Sequence, residues 1–90
     1  TLDRSSAASD VYKRQYYNLG YIYGELNNYE QSIYFYNKAV QQNFDLEATL
    51  VNLALQEIKA NKKASACAHL EEAYQLGRTD IKPLMNKYCK

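Results

Sequence analysis

An internal repetition at a constant offset constrains the fold of this 90-residue chain more than any other feature. Leu19 corresponds to Leu53 and Ala39 to Ala73, and the members of both pairs lie 34 residues apart. Self-similarity with a period of this size is typical of solenoids, in which each repeat is one supersecondary unit that stacks on the next. The other positions that match at this offset are Asn18/Asn52, Gly20/Ala54, Asn27/Asn61, Ser32/Ala66, Ile33/Cys67 and Tyr36/Leu70.

Apolar residues within each repeat recur with the period of an α-helix. Tyr16, Leu19, Gly20 and Tyr23 are spaced three, one and three residues apart, which puts them on one helix face. Because Gly20 and Ser32 are small, we expect two neighbouring helices to approach most closely there. The remaining apolar stripes are Ser32, Ile33, Tyr36, Ala39 and Val40; Leu50, Leu53, Ala54 and Ile58; and Ala66, Cys67, Leu70, Ala73 and Tyr74.

Residues that favour turns and caps separate these stripes. Asn28 is predicted to cap the second helix with its side chain, since Gln31 follows three residues later in capping-box position. Asp45 is the expected cap of the third helix, and Gly77 is expected just past the end of the fourth. The pattern therefore predicts an all-α fold with helices at about 16–26, 29–42, 46–60 and 63–76.

A shorter amphipathic segment follows the second hairpin. Ile81, Leu84, Met85 and Tyr88 are again spaced three, one and three residues apart, and Pro83 is tolerated in a first helical turn. We expect a closing helix over residues 80–89, capped by Asp80, that covers the stripe of the preceding helix. Solenoids require such a polar-faced end to remain soluble.

The spacing resembles that of the tetratricopeptide-repeat (TPR) family, whose consensus reads W-x2-L-G-x2-Y followed by Ala, an aromatic residue and Ala in the second helix. The resemblance implies one repeat over residues 16–46, a second over 47–78 and a capping helix. Glu57, Phe44 and Arg78 depart from the consensus. The C-terminal region also resembles bacterial TPR proteins. The consensus positions are filled by Tyr16, Leu19, Gly20, Tyr23, Tyr29, Ser32, Tyr36 and Ala39, and then by Leu50, Leu53, Ala54, Ala66, Leu70 and Ala73.

The first fifteen residues have a different character. Ser5–Gln15 resembles, residue for residue, the translation of a transposase-based sequencing adapter. Segments of this kind are excluded from fold reasoning. We therefore expect residues 1–15 to be a non-native segment, either disordered or a helical extension, and the natural chain, a C-terminal fragment, to begin near Tyr16. The alternative is a natural Ser/Ala-rich linker.

The TPR resemblance also implies a binding surface, because the first helix of each repeat in this family lines a concave groove for a peptide or a partner helix. Aromatic groups at such positions are favoured as binding hot spots. The alternative is that Tyr17 and Tyr21 pack on a neighbouring repeat or on each other. The family's carboxylate clamp is not expected, since these two tyrosines occupy its Lys and Asn positions and only Asn52 fits in part. The groove positions carried over are Tyr17, Tyr21, Gly24, Glu25, Val51, Leu55, Ile58 and Lys59.

The two cysteines lie near the closing helix. Cys67 belongs to the stripe that this helix would cover, and Cys89 lies at the edge of its apolar face. They can form a disulfide, which would stabilise the fold by about 3 kcal/mol, or remain as two reduced thiols. The only histidine, His69, is expected on the surface, and no fourth ligand is available for a zinc site.

The composition argues against several classes of function. Eleven basic residues against ten acidic ones, without a basic block, disfavour nucleic-acid binding. No apolar run approaches the length of a membrane span. No Ser or Cys has a base and an orienting group arranged around it, so neither a catalytic site nor a cofactor site is predicted.

These observations favour a scaffold that binds a protein or peptide. Two alternatives remain: a structural C-terminal cap of a longer TPR array, or an appendage of an enzyme or sensor whose catalytic part lies elsewhere. Two repeats are few for a solenoid, which usually needs about three. Self-association through the open N-terminal face, formed by Tyr16, Leu19 and Tyr23, is therefore also expected.

Overall fold

The computed structural model describes the backbone of residues 2–89 and the side chains of residues 13–89; Thr1 and Lys90 lie outside the description. Five α-helices and one 3-10 turn make up the fold, and the described residues contain no strand. The all-α prediction of paired helices with a terminal helix is confirmed. The elements are α1 (Leu2–Glu25), α2 (Tyr29–Gln41), α3 (Leu46–Lys59), α4 (Lys63–Gln75), a 3-10 turn (Thr79–Ile81) and α5 (Lys82–Tyr88).

The helices pack in the order in which they occur in the chain. The first helical hairpin is α1 with α2, and the second is α3 with α4. The two hairpins meet mainly through α2 and α3, while α1 touches α3 at few points, and α5 packs on α4. Helix α1 begins at Leu2, so the part of the chain that resembles an adapter continues the first helix of the hairpin.

The four main helices all end in the same backbone conformation. Asn27, Asn43, Asn61 and Gly77 follow α1 to α4 and have φ values of 62°, 58°, 66° and 113°. In each case the next amide bonds back to a carbonyl five residues earlier, for example Asn28 N to Tyr23 O at 2.8 Å. This is the Schellman motif, which satisfies the free carbonyls at a helix end. Glycine is confirmed as the residue past α4, and asparagines fill the other three positions.

The predicted side-chain caps are wrong. Asn28 and Asp45 do occupy the positions before α2 and α3, but neither side chain makes a capping hydrogen bond. Asn28 has φ −94° and ψ 74°, and Asp45 adopts the left-handed conformation with φ 39°. A capping side chain needs a backbone in the β region, and the preceding turns bring both residues to other angles.

The closing helix differs from its prediction at both ends. Instead of capping a helix, Asp80 lies in the 3-10 turn and accepts hydrogen bonds from Arg78 at 3.0 and 3.2 Å. Pro83 lies in the first turn of α5 as expected, and Ile81 and Met85 are buried against α4. A disulfide joins Cys67 of α4 to Cys89, which directly follows α5.

The core has two parts. The larger lies inside the second hairpin and extends under α5, and the smaller lies between the hairpins, where Leu53 of α3 packs on Ile33 and Tyr36 of α2. Leu53 is fully buried whereas its repeat equivalent Leu19 is only partly buried. Among the described helices, α3 packs on both α2 and α4, whereas α1 packs mainly on α2. The larger part consists of Leu50, Ala54, Ala66, Leu70, Ala73, Ile81 and Met85.

Helices α1 and α2 approach each other closely at Gly20. The hydroxyl of Ser32 donates a hydrogen bond to the Gly20 carbonyl at 2.6 Å, and both residues are buried. A Cβ atom added to Gly20 would lie 2.8 Å from the ring of Tyr36, whose side chain is only 2% exposed. Small residues at these two positions therefore set the distance between the helices, as their spacing in the sequence predicts.

The first and second helices of each hairpin also meet through a pair of side chains at equivalent positions. In the first hairpin the rings of Tyr23 and Phe35 stack at 5.5 Å. In the second hairpin the positions 34 residues later hold Glu57 and His69, whose side chains are hydrogen-bonded at 2.6 Å and form an ion pair when His69 is protonated. Glu57 is only 4% exposed, and hydrogen bonding to its carboxylate raises the pKa of His69. The expected surface location of His69 is therefore wrong: it is half-buried and bonded to the buried carboxyl group of Glu57.

Replacing Gly20 by Ala is expected to lower the free energy of unfolding by about 1–3 kcal/mol, because the added methyl group overlaps a ring that has no space to move. Urea denaturation measures the change. Gly24→Ala is the matched control, because there the methyl group meets only the flexible end of Gln56, at 3.0 Å, and Ala favours the helix. Equal effects of the two substitutions would contradict the close approach at Gly20.

The ion pair is expected to make stability depend on pH. Because hydrogen bonding raises the folded-state pKa of His69, its stabilisation is complete below the unfolded-state pKa of about 6.5 and is lost as pH rises through the folded-state value. The difference in unfolding free energy between the wild type and His69→Gln should therefore shrink as the pH rises above about 6.5. Urea titrations across this range measure it, and a difference that does not change with pH would show that the pair is not ionic.

Candidate functional site

The predicted groove positions on the first hairpin lie along one side of α1. Tyr17, Tyr21 and Gly24 are spaced four and three residues apart, so they follow one another along the helix. Tyr21 is 57% exposed and Glu25 is also exposed, whereas Gly24 is buried. This side of α1 therefore offers one large aromatic ring to solvent.

Tyr17 has a different environment from Tyr21. Its ring packs edge-on against Tyr36 at 5.5 Å and against Phe44 at 5.7 Å. Its hydroxyl accepts a hydrogen bond from the side-chain amide of Asn52 on α3 at 2.6 Å. Tyr17 thus joins the first hairpin to the second, and its ring forms part of the packing between the hairpins.

Gly24 and Gln56 form the second contact between α1 and α3. The Gln56 amide lies close enough to Gly24 that an added Cβ atom would be 3.0 Å from its nitrogen. The Gln56 side-chain oxygen is buried and has no hydrogen-bond partner among the described residues. Gly24 allows the two helices to approach here, and the Gln56 side chain fills the space between them.

The predicted positions on α3 divide between core and surface. Val51 and Ile58 are partly buried and pack against the larger part of the core. Leu55 is partly buried as well, and Lys59 is exposed, with its ammonium group 6.0 Å from the centre of the Tyr29 ring. Of the apolar residues predicted on α3, Val51 and Ile58 thus contribute to the core, and Leu55 is the one left for the surface.

The charges around these positions are balanced. Glu25 on α1 and Lys59 on α3 have opposite signs, and both are exposed. Burial raises the pKa of Tyr36 beneath the site, and its proximity to Tyr17, Tyr21 and Glu25 acts in the same direction. The phenol of Tyr36 is therefore neutral at physiological pH and acts as a packing group below the surface.

The described part of the chain has no enclosed pocket. Within the same residues, no three His, Cys, Asp or Glu side chains come together in a way that could hold a metal ion. No helix in this region is both long and apolar enough to cross a membrane. What the described residues offer is an exposed helical surface.

Two features of the surface were not recognised from the sequence. Gln56 fills the gap beside Gly24, yet its only sequence signal is a position 34 residues after Ile22. Asn52 is the residue that binds Tyr17, and its signal was the repeated asparagine at positions 18 and 52. The repeat relates Asn52 to Asn18, but it does not identify the residues that Asn52 and Gln56 contact.

The predicted cysteine pair lies apart from this surface. Cys67 and Cys89 are both partly buried and are joined by a disulfide whose Cα atoms are 5.6 Å apart. The bond connects α4 to the end of α5, on the second hairpin. The sequence alone allows either a disulfide or two free thiols, and the structure contains the disulfide.

Comparison with known proteins yields one family. Residues 14–45, which contain α2 and the end of α1 that packs on it, match the family model described as the tetratricopeptide repeat. Neither a search of curated proteins nor a search of solved structures found a match. The match and the paired helices together support a TPR protein.

Proposed function

We propose that the chain is a protein-interaction module that binds a peptide or a partner helix across α1 and α3. The family assignment supports the general role, because the tetratricopeptide repeat is a protein-interaction repeat and is generally non-catalytic. The finer proposal concerns the surface that contains Tyr21, Glu25, Leu55 and Lys59, called the α1–α3 surface below.

The exposed ring of Tyr21 is the observation that carries this proposal. More than half of its side chain is accessible, although it lies only four residues from the packed ring of Tyr17. Tyrosine combines a large apolar area with a polar tip and loses little entropy on binding, so it is enriched at binding hot spots. A rigid helix presents the ring, which reduces the entropic cost of association.

Tyr17 and Asn52 would support this surface from below. Their hydrogen bond of 2.6 Å and the packing of Tyr17 on Tyr36 hold α1 and α3 at a constant separation. A partner that spans both helices then meets a pre-formed surface. Because Tyr17 has this packing role, its substitution would change both folding and binding, and it is unsuitable as a test of binding alone.

The chemistry of the surface favours a partner of low net charge. Glu25 and Lys59 offer one charge of each sign, and Tyr21 and Leu55 offer apolar area between polar groups. We propose a peptide or helix with an apolar side chain that packs on Tyr21. A strongly acidic or basic partner, such as a nucleic acid, has no complementary charge here.

Substituting Tyr21 by Ala is expected to weaken binding at least about tenfold, which corresponds to about 1.4 kcal/mol. The probe is a peptide selected against the wild-type chain from a phage-displayed random library. Fluorescence anisotropy with the labelled peptide then measures the dissociation constants of the wild type and the variants. Helicity and urea stability are measured on the same samples.

Tyr34→Ala is the matched control, because Tyr34 is similarly exposed at 53% but lies on α2, away from the α1–α3 surface. It should leave the dissociation constant unchanged. Equal loss in both variants, or no loss with Tyr21→Ala, would overturn the proposed location. The structural alternative, in which the α1–α3 surface stays empty, predicts that no selected peptide responds to Tyr21→Ala.

A further inference from the structure

Helix α5 occupies the place on α4 that α3 occupies on α2. At an offset of 34 residues, Ile33, Tyr36 and Val40 of α2 correspond to Cys67, Leu70 and Tyr74 of α4. The α2 residues pack against α3 and its hairpin, and the α4 residues lie under α5 and the turn before it. The closing segment is thus positioned like the first helix of a further hairpin.

The closing segment is nevertheless much smaller than α3. Helix α5 has seven residues against fourteen in α3, so it is about 10 Å long where α3 is about 21 Å long. It buries Met85, and the turn before it buries Ile81, whereas α3 buries five side chains. Because isolated helices shorter than about 12 residues are marginal in water, α5 needs support from outside itself.

The disulfide supplies that support at the end that is farthest from the 3-10 turn. Cys67 lies in the first half of α4, and Cys89 directly follows α5, so the bond fixes the C-terminal end of α5 to α4. Where α2 has the apolar Ile33 in contact with α3, α4 has a covalent bond at the equivalent position. Both cysteine residues are only partly buried.

We propose that the Cys67–Cys89 disulfide is a redox-sensitive latch that holds α5 on α4. One thiolate of a dithiol reductant attacks one cysteine sulfur, which forms a mixed disulfide and releases the other cysteine as a thiolate. The second thiol of the reductant then displaces the cysteine held in the mixed disulfide. The protein disulfide gains two electrons and two protons to become two thiols, and the reductant becomes a disulfide. Release of α5 then uncovers the stripe of Leu70, Ala73 and Tyr74.

The two hairpins should remain folded after this release. Their own turns close them, with Asn28 N bonded to Tyr23 O and Lys62 N to Glu57 O, and neither turn involves a cysteine. The contact between the hairpins, in which Leu53 packs on Ile33 and Tyr36, does not include either cysteine. Opening of the latch is thus expected to be local.

Amide hydrogen exchange on the full chain, with and without a dithiol reductant, tests the proposal. Reduction should speed exchange at residues 86–89, whose amides close the last turn of α5, at least about tenfold, while the amides of α2 keep their protection. The double variant Cys67→Ser, Cys89→Ser should show the fast exchange without reductant and no further response when it is added.

Three outcomes would overturn the latch. Exchange at residues 86–89 that is the same in both redox states would show that packing alone holds α5. Loss of exchange protection in α2 as well would show that the disulfide stabilises the whole fold and not α5 alone. Two titratable thiols in the air-oxidised chain would show that the bond does not form.

Discussion

The left-handed residue after each of the four main helices is the constraint on which the rest of this structure depends. Asn27, Asn43, Asn61 and Gly77 have positive φ, and the amide after each bonds back into the helix it ends. Helices joined by connections as short as these become neighbours in space. Because the turns are alike, the second hairpin repeats the helix order and turn geometry of the first.

Residue volume and spacing were sufficient to predict most of this architecture. The apolar stripes at helical period and the small residues Gly20 and Ser32 act through steric fit, and an asparagine follows each of the first three helices. Both signals can be read in sequence order. The cap predictions failed because Asn and Asp serve two roles equally well. Such a residue can hold a helix start with its side chain or adopt positive φ, and only the surrounding backbone decides.

The site was less predictable because its residues depend on partners that are distant in the chain. Tyr17 and Tyr21 are equivalent in type and in helix position, yet one packs on Phe44 and Asn52 and the other faces solvent. The difference arises from the offset between two hairpins, which no local pattern encodes. Similarly, Glu57 departs from the consensus, and the residue that accounts for it, His69, lies across the hairpin.

The position shared by Tyr23–Phe35 and Glu57–His69 has an evolutionary consequence. One place in the repeat accepts an aromatic stack or an acid with an imidazole, so the fold specifies that two groups meet there without specifying their chemistry. A change at one member alone leaves a buried carboxylate or an unmatched ring, and such neighbours have non-additive effects. In an alignment of related repeats, these two positions should therefore covary, so that an aromatic pair is replaced by an acid and a histidine together.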